Sequence, residues 1–340
     1  MDLLGKVTPN GWIIEKRVDF PAEHTGGHFS DCYLARKGEH RAFLKALDIE
    51  KFDVSQVSWL LDGFSYESDL ARLCREKKLA RIVRVIESGQ VERDPSAPPV
   101  LRNVPFLIFE LAEGDIRESV DISKGVSNQW RFQVLHQTAA ALMQLHKEHI
   151  AHQDLKPSNV LRFNGQQLKV GDLGRSSLRG KPAPHDQLPI PGAYKYAPFE
   201  QRYGYLCQDW LERRISVDVF HLGCLVVFAF TNIVFPEYVL ARLSSSYKPE
   251  VWGDSYETVI DHVNSACIEA LDALSSDFPA PFRSELIDIV RDLCHPNPSL
   301  RGRTVEKLTP PAGPLWLERY VTRFDRLEKR ARLIQRSENA

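Results

Sequence analysis

The sequence predicts an α+β chain, with strands gathered in its first third and helices in the remainder. Three observations carry that prediction. Short apolar or alternating runs recur before residue 110, a long amphipathic pattern occupies Asn128 to His149, and the most apolar stretch, Leu222 to Phe235, has the length of a helix. Between the last two lies a polar run, His152-Gln153-Asp154-Leu155-Lys156-Pro157-Ser158-Asn159, around which the rest of the chain is organised.

Bulk properties narrow the class. At 340 residues, the chain can build one large unit or two lobes with real cores. Its apolar and charged fractions, 43% and 26%, are those of a soluble globular protein. A net charge of -1 gives no standing attraction to nucleic acid or membrane. The first residues lack the basic and apolar regions of a signal peptide, and Leu222 to Phe235 is too short to span a bilayer, so it reads as a buried helix. The cysteines at 32, 74, 207, 224, 267 and 294 form no CxxC pair, from which we expect reduced thiols and a cytoplasmic protein. His221 and Cys224 stand three apart, but without a second pair they read as a packed helix face rather than a zinc site.

In chain order, Gly11 to Val18, Ser30 to Ala35, Arg41 to Leu47, Ile82 to Glu87 and Phe106 to Phe109 are expected as strands. Ser65 to Ala80 carries Leu70, Leu73 and Cys74 on one side and is expected as a helix. Ser88 to Pro105, with Asp94-Pro95 and Pro98-Pro99, reads as an exposed loop. Asn128 to His149 places Phe132, Leu135, Ala139, Leu142 and Leu145 on one stripe. Glu257 to Leu274 and Phe282 to Leu293 are further helices. A basic helical pattern, Trp316 to Ile334, closes the chain. Its plain reading is the solvated face of a packed helix; docking to an acidic protein or nucleic acid is the alternative.

The chemistry concentrates in few residues. Asp154, Lys156 and Asn159 fall within six positions, and Asp172-Leu173-Gly174 begins thirteen residues later. A carboxylate to take a hydroxyl proton, a lysine beside a moving phosphoryl group, and an amide with a second carboxylate for Mg²⁺ are the parts that phosphoryl transfer needs.

The run HQDLKPSNV followed by GDLG resembles the catalytic loop and metal-binding triplet of eukaryotic-like serine/threonine protein kinases, and the resemblance covers about residues 10–305. It implies a bilobal fold, with a β-rich upper lobe carrying one main helix (10–110), a mostly helical lower lobe (111–305), and a basic helical extension (306–340). It further implies transfer of the γ-phosphoryl group of ATP to protein hydroxyls, with Mg²⁺, or alternatively Mn²⁺, held by Asn159 and Asp172. Asp154 would be the acceptor's base and Lys156 the charge neutraliser; Lys45 would meet the phosphates and pair with Glu67, with Glu76 as the alternative partner. The turn Thr25-Gly26-Gly27-His28-Phe29-Ser30-Asp31-Cys32 resembles a degraded glycine-rich loop, so Thr25, Gly26, Gly27, Phe29 and Cys32 are nucleotide-binding candidates. Phe109, Glu110 and Ala112 resemble the hinge against which adenine binds, chiefly through backbone groups, and Leu161 is expected beneath the base.

The departures from the family pattern are informative. Phe43 stands where a small alanine usually packs on adenine. Either the nucleotide sits lower, the register is offset so that Ala42 faces the base, or adenine binding is weakened. Gln153 replaces the arginine that usually grips a phosphate on the activation segment, and Leu173 to Glu200 contains no threonine, only Ser176 and Ser177 near its start. Activity independent of activation-segment phosphorylation is therefore expected. Ala193 stands where serine/threonine kinases carry threonine, although Lys156 still favours serine or threonine acceptors over tyrosine. Glu200 is expected to pair with Arg301, and Asp218 to hold the catalytic-loop backbone. Two other readings stay open on the same core: a pseudokinase that acts as a binding or scaffold module, and a kinase of small molecules or RNA.

Overall fold

The structure, a computed structural model, describes residues 2–19, 30–93, 102–121, 125–302 and 317–338. The candidates Thr25, Gly26, Gly27 and Phe29 lie outside the described residues.

The upper lobe is a five-stranded antiparallel sheet in the order β1-β2-β3-β5-β4, formed by β1 (Ile13–Val18), β2 (Ser30–Lys37), β3 (His40–Leu47), β4 (Val85–Glu92) and β5 (Asn103–Glu110). Alternation decides its faces. Ala42, Leu44 and Ala46 of β3 are buried in an upper core with Tyr33, Phe106 and Ile108, which leaves Phe43 and Lys45 on the opposite side. The β2–β3 hairpin turns through Gly38-Glu39, and Gly38 takes the positive φ that such a two-residue turn requires. Leu3, ahead of the expected boundary at residue 10, is also buried in this upper core.

Two upper-lobe expectations need correction. The main helix, α1 (Val54–Glu76), begins eleven residues before Ser65 and ends before Ala80. It starts at Asp53, whose amide donates to the Gln56 side chain, and Leu60 and Phe64 on the added turns are buried in the main core. Lys78 takes a left-handed φ of 54° just after Glu76, which stops the helix. Both ends of Ser88 to Pro105 are strand rather than loop: β4 runs to Glu92 and β5 starts at Asn103, paired in register from Val91↔Val104 to Glu92↔Asn103.

The lower lobe is built on α2 (Asn128–Lys147), α3 (Ser216–Thr231), α4 (Tyr256–Leu274) and α5 (Arg283–Leu293). Ser127 caps α2 by accepting from the Trp130 amide, and His149 ends it with a φ of 57°. The helical stretch Leu211–Thr231 is long and apolar enough to cross a membrane by composition, but it is almost entirely enclosed by the lower-lobe core. Its apolar character serves packing. Short strands sit at the junction of the lobes: β6 (Gly114–Asp115), β8 (Val160–Phe163) and β9 (Gln167–Val170) form one sheet, and β7 (Ile150–Ala151) pairs with β10 (Ser177–Leu178).

The last helix, α6 (Leu317–Glu338), packs along α2 and buries Leu317, Tyr320, Phe324, Leu327 and Ala331 in the main core. Its cations are largely paired: Arg319 with Asp292, Arg323 and Arg330 with Glu285, Lys329 with Asp325, and Arg332 with Glu328. Arg326 and Arg336 are exposed. The outer face is thus mostly neutralised, as the solvated face of a packed helix would be.

Candidate active site

A cleft of about 360 Å³ opens between the lobes. Val18, Cys32, Phe43, Val83, Phe109 and Leu161 supply apolar walls, while Lys45, Glu67, Asn159 and Asp172 line its polar end. Glu110 and Ala112 border it at the connection between the lobes.

Lys45 projects from β3 to Glu67 of α1, with its Nζ 2.8 and 2.9 Å from the two carboxylate oxygens and 3.1 Å from Asp172 Oδ1. Glu76 lies exposed at the end of α1, so Glu67 is the partner. Burial alone would lower the Lys45 pKa, but Asp172 and Glu67 more than offset it and hold the ammonium above the usual lysine range. The Lys45 charge in turn holds the Asp172 carboxyl well below the usual range, against burial and with help from Lys156.

Of the catalytic-loop candidates, Asn159 lines this end of the cleft and Asp154 and Lys156 join it through hydrogen bonds. Lys156 Nζ lies 2.8 Å from Asp154 Oδ2, and Asn159, which lines the cleft, donates from Nδ2 to the Asp154 carbonyl at 2.8 Å. The other Asp154 oxygen, Oδ1, accepts from the Ala193 amide at 2.7 Å. A backbone donor thus meets the carboxylate at the position where a threonine was expected from the family pattern. The close approach needs Gly192 alongside, because a Cβ there would lie 2.4 Å from the Gln153 carbonyl oxygen.

Buried Asp218 at the start of α3 supports the loop from below. It accepts from the His152 and Gln153 amides, each at 2.7 Å, and contacts His146 Nε2 at 2.8 Å. His152 Nδ1 accepts from the Asp154 amide and its Nε2 lies 3.0 Å from the Gly171 carbonyl, so the ring links the loop to the residue before Asp172. Asp172 and Gln153 hold left-handed φ values of 61° and 63°. Such residues persist where their surroundings fix them.

Three arrangements escaped sequence reasoning. Tyr66 Oη accepts from the Leu178 amide at 2.9 Å and contacts the Lys181 carbonyl at 3.2 Å, tying α1 to the activation segment one residue before Glu67. Glu110, expected to act through its backbone, also pairs with Lys169 at 2.6 and 2.8 Å and accepts from the Arg84 amide, so its side chain braces the interlobe connection. Arg214 reaches Gln153 and Asp186 from the turn ahead of α3. The register of β3 also settles one reading of Phe43. Ala42 belongs to the upper core, so the offset that would bring it to the cleft is excluded. Phe43 faces the cleft, directly across from Phe109 on β5.

The family described as the protein kinase domain matches residues 25–310. The chain belongs to this family. Its similar curated relatives include mitogen-activated protein kinase 10 of Oryza sativa subsp. japonica, 25% identical over 199 residues that make up 58% of this chain and 32% of the relative. Mitogen-activated protein kinase 19 of Arabidopsis thaliana is 24% identical, covering 64% of this chain and 36% of the relative. Mitogen-activated protein kinase 9 of rice is 22% identical over 286 residues, 81% of this chain and 40% of the relative. The chain spans well under half the length of these relatives.

The bilobal α+β architecture is that of a protein kinase, and kinases of this family in general use ATP with Mg²⁺. The donor set of this chain suits such an ion. The Asp172 carboxylate is ionised, Asn159 lines the same cleft, and a carboxylate and an amide oxygen are the hard oxygen ligands that Mg²⁺ takes beside phosphates and water. Among the described residues, no cluster of three or more His, Cys, Asp or Glu forms a metal cage, and His221 and Cys224 are buried within α3.

Proposed function

We propose that this chain is an active serine/threonine protein kinase that uses MgATP. The observation that carries the reading is that Lys45, Asn159 and Asp172, distant in sequence, line one end of one cleft, with Asn159 hydrogen-bonded to Asp154 and Asp154 to Lys156. In the proposed reaction the acceptor hydroxyl oxygen bonds to the γ-phosphorus as the bond to the β-phosphate's bridging oxygen breaks. The hydroxyl proton passes to Asp154, and ADP leaves. Bound Mg²⁺ would offset charge on the phosphates. Lys45, fixed by Glu67, orients the phosphates, and Lys156 lies beside the base, where charge develops. The Lys156 side chain supports serine or threonine as the acceptor. The buried Glu200–Arg301 pair supports a protein rather than a metabolite as the substrate, because it braces the end of the segment against which a polypeptide would lie. All six cysteines are free, five of them buried, which favours a reducing compartment such as the cytoplasm.

Intact mass after incubation with MgATP, beside Asp154→Ala and Lys45→Ala variants, tests the reading, with serine, threonine and tyrosine peptides as added acceptors. Time-dependent phosphate additions in the parent chain, absent from both variants, are expected, with serine or threonine peptides preferred. Nucleotide binding without transfer to any acceptor would assign the chain to the pseudokinases. Transfer to metabolites but never to polypeptide would overturn the protein-substrate reading.

A further inference from the structure

A closed ring of hydrogen bonds joins the catalytic loop, the activation segment and the turn that leads into α3. Arg214 Nη1 donates to Gln153 Oε1 at 2.7 Å, and Arg214 Nη2 donates to Asp186 Oδ1 at 2.7 Å. Ser177 Oγ donates to the same Asp186 oxygen at 3.1 Å and accepts from Gln153 Nε2 at 2.7 Å, which closes the ring. Gln153 Nε2 also reaches the Arg175 carbonyl at 2.8 Å, and Asp186 Oδ2 accepts from the Ala183 amide at 2.7 Å. Gln153, Ser177 and Arg214 are 1%, 2% and 4% exposed, and the Asp186 side chain 28%. The cation therefore sits in a poorly solvated place and is answered by an anion that keeps one edge toward solvent.

Resting on the kinase reading, we propose that Arg214 and Asp186 are positioning residues for Asp154: the cation usually carried beside the catalytic aspartate has moved to Arg214, and Asp186 is its permanent anion. Gln153 is then matched to its surroundings. Its amide accepts from the guanidinium and donates to Ser177, whereas an arginine at 153 would face Arg214 with one carboxylate between two cations. The link to the reacting group is short. Gln153 precedes Asp154, takes a left-handed φ, and is held by Asp218 through its backbone and by the ring through its side chain. Moving its side chain would release the peptide that aims Asp154. The ring also removes Ser177 as a regulatory acceptor, since its hydroxyl is enclosed and bonded on both sides, and Ser176 beside it is fully buried.

The test relocates the charge. Gln153→Arg, Arg214→Gln, Ser177→Ala and the double variant Gln153→Arg/Arg214→Gln are compared with the parent by steady-state kinetics and by amide hydrogen exchange across residues 175–187. Each charge-altering single variant should lower kcat at least about tenfold with little change in the KM for ATP, because one ring charge is left uncompensated. Each should also speed exchange in the segment. The double variant, with one cation and one amide again, should return to within roughly threefold of the parent in both readouts. Ser177→Ala, which alters no charge, should lower kcat only several-fold and keeps the test open if a charge variant fails to fold. Single variants that match the parent in kcat and exchange, or a double variant no better than its worse parent, would overturn the proposal. If the parent transfers no phosphate yet exchange follows the predicted pattern, the catalytic reading fails while the ring as the anchor of the segment stands.

Discussion

Glu200→Gln tests how the lower lobe is held together. Arg301 is 0% exposed, and its guanidinium meets Glu200 through two nitrogens at 2.6 and 2.5 Å. It also donates to the carbonyls of His295 at 2.7 Å and Pro296 at 3.0 Å, and lies 4.8 Å from the centroid of the Phe220 ring. Glutamine keeps the shape of the partner but removes the charge, leaving a buried cation with only carbonyl dipoles and a ring face. Breaking such a pair from one side costs about 3–5 kcal/mol. The surviving carbonyl acceptors place this case near the lower end, about 3 kcal/mol. At about 2.1 cal/mol/K of unfolding entropy per residue over 340 residues, roughly 1.4 °C per kcal/mol, the melting temperature should fall by about 4 °C. Differential scanning fluorimetry at one fixed scan rate reads this shift. Asp288→Asn is the control: its partner Arg291 is about as exposed as Asp288 itself, and losing that pair should cost less than about 1 kcal/mol. A Glu200→Gln melting temperature indistinguishable from that of the control would refute the reasoning. So would a Glu200→Gln/Arg301→Met variant that recovers nothing, because removing the orphaned cation should restore part of the loss.

Other perturbations probe the site and its supports. Phe43→Ala should admit ATP analogues with a bulky N6 substituent that the parent excludes, improving their KM by at least about tenfold; equal KM values in the two proteins would mean that Phe43 does not lie over the base. Tyr66→Phe leaves the Leu178 amide and Lys181 carbonyl without their hydroxyl partner, at a cost of about 1–3 kcal/mol. Exchange at the Leu178 amide should accelerate, and unchanged protection would show that the hydroxyl holds nothing. Burial lowers the His185 pKa from about 6.5 to about 4. The unfolded chain therefore binds more protons between these values, and stability should decline as pH falls from about 6.5 to 4, by roughly 3 kcal/mol from this group. His185→Gln should flatten that part of the stability profile measured by denaturant titration, whereas an unaltered slope would remove His185 as its source.

Much of this molecule could be read from local spacing. Asp154, Lys156 and Asn159 lie within one short run, and a helix face offered Glu67 to Lys45, so residues near in sequence suggested geometry that the structure brings together. The start of α1 was hidden because Ser55, Ser58 and Gly63 weaken the helical pattern. The Asp53–Gln56 start and the burial of Leu60 and Phe64 outweigh that propensity. The strand pairing between Val91 and Val104 was masked by the polar and proline-rich residues between them. The ring around Gln153 had no local signal. Its members are 9 to 61 positions apart, and only folding shows that a glutamine in one segment is answered by an arginine in another. Phe43 had three readings until strand alternation assigned Ala42 to the upper core.

The position of α6 bears on how the chain comes to be folded during synthesis. The family match ends at residue 310, yet Leu317, Tyr320, Phe324, Leu327 and Ala331 complete the core against α2. The α2 helix ends at Lys147, so its covered side emerges from the ribosome about 170 residues before its cover does. At about 5–20 residues per second, that apolar side stays wet for roughly 10 to 35 s. For that interval the nascent lower lobe presents the surface that chaperones bind, and its final closure waits on a helix that carries none of the chemistry.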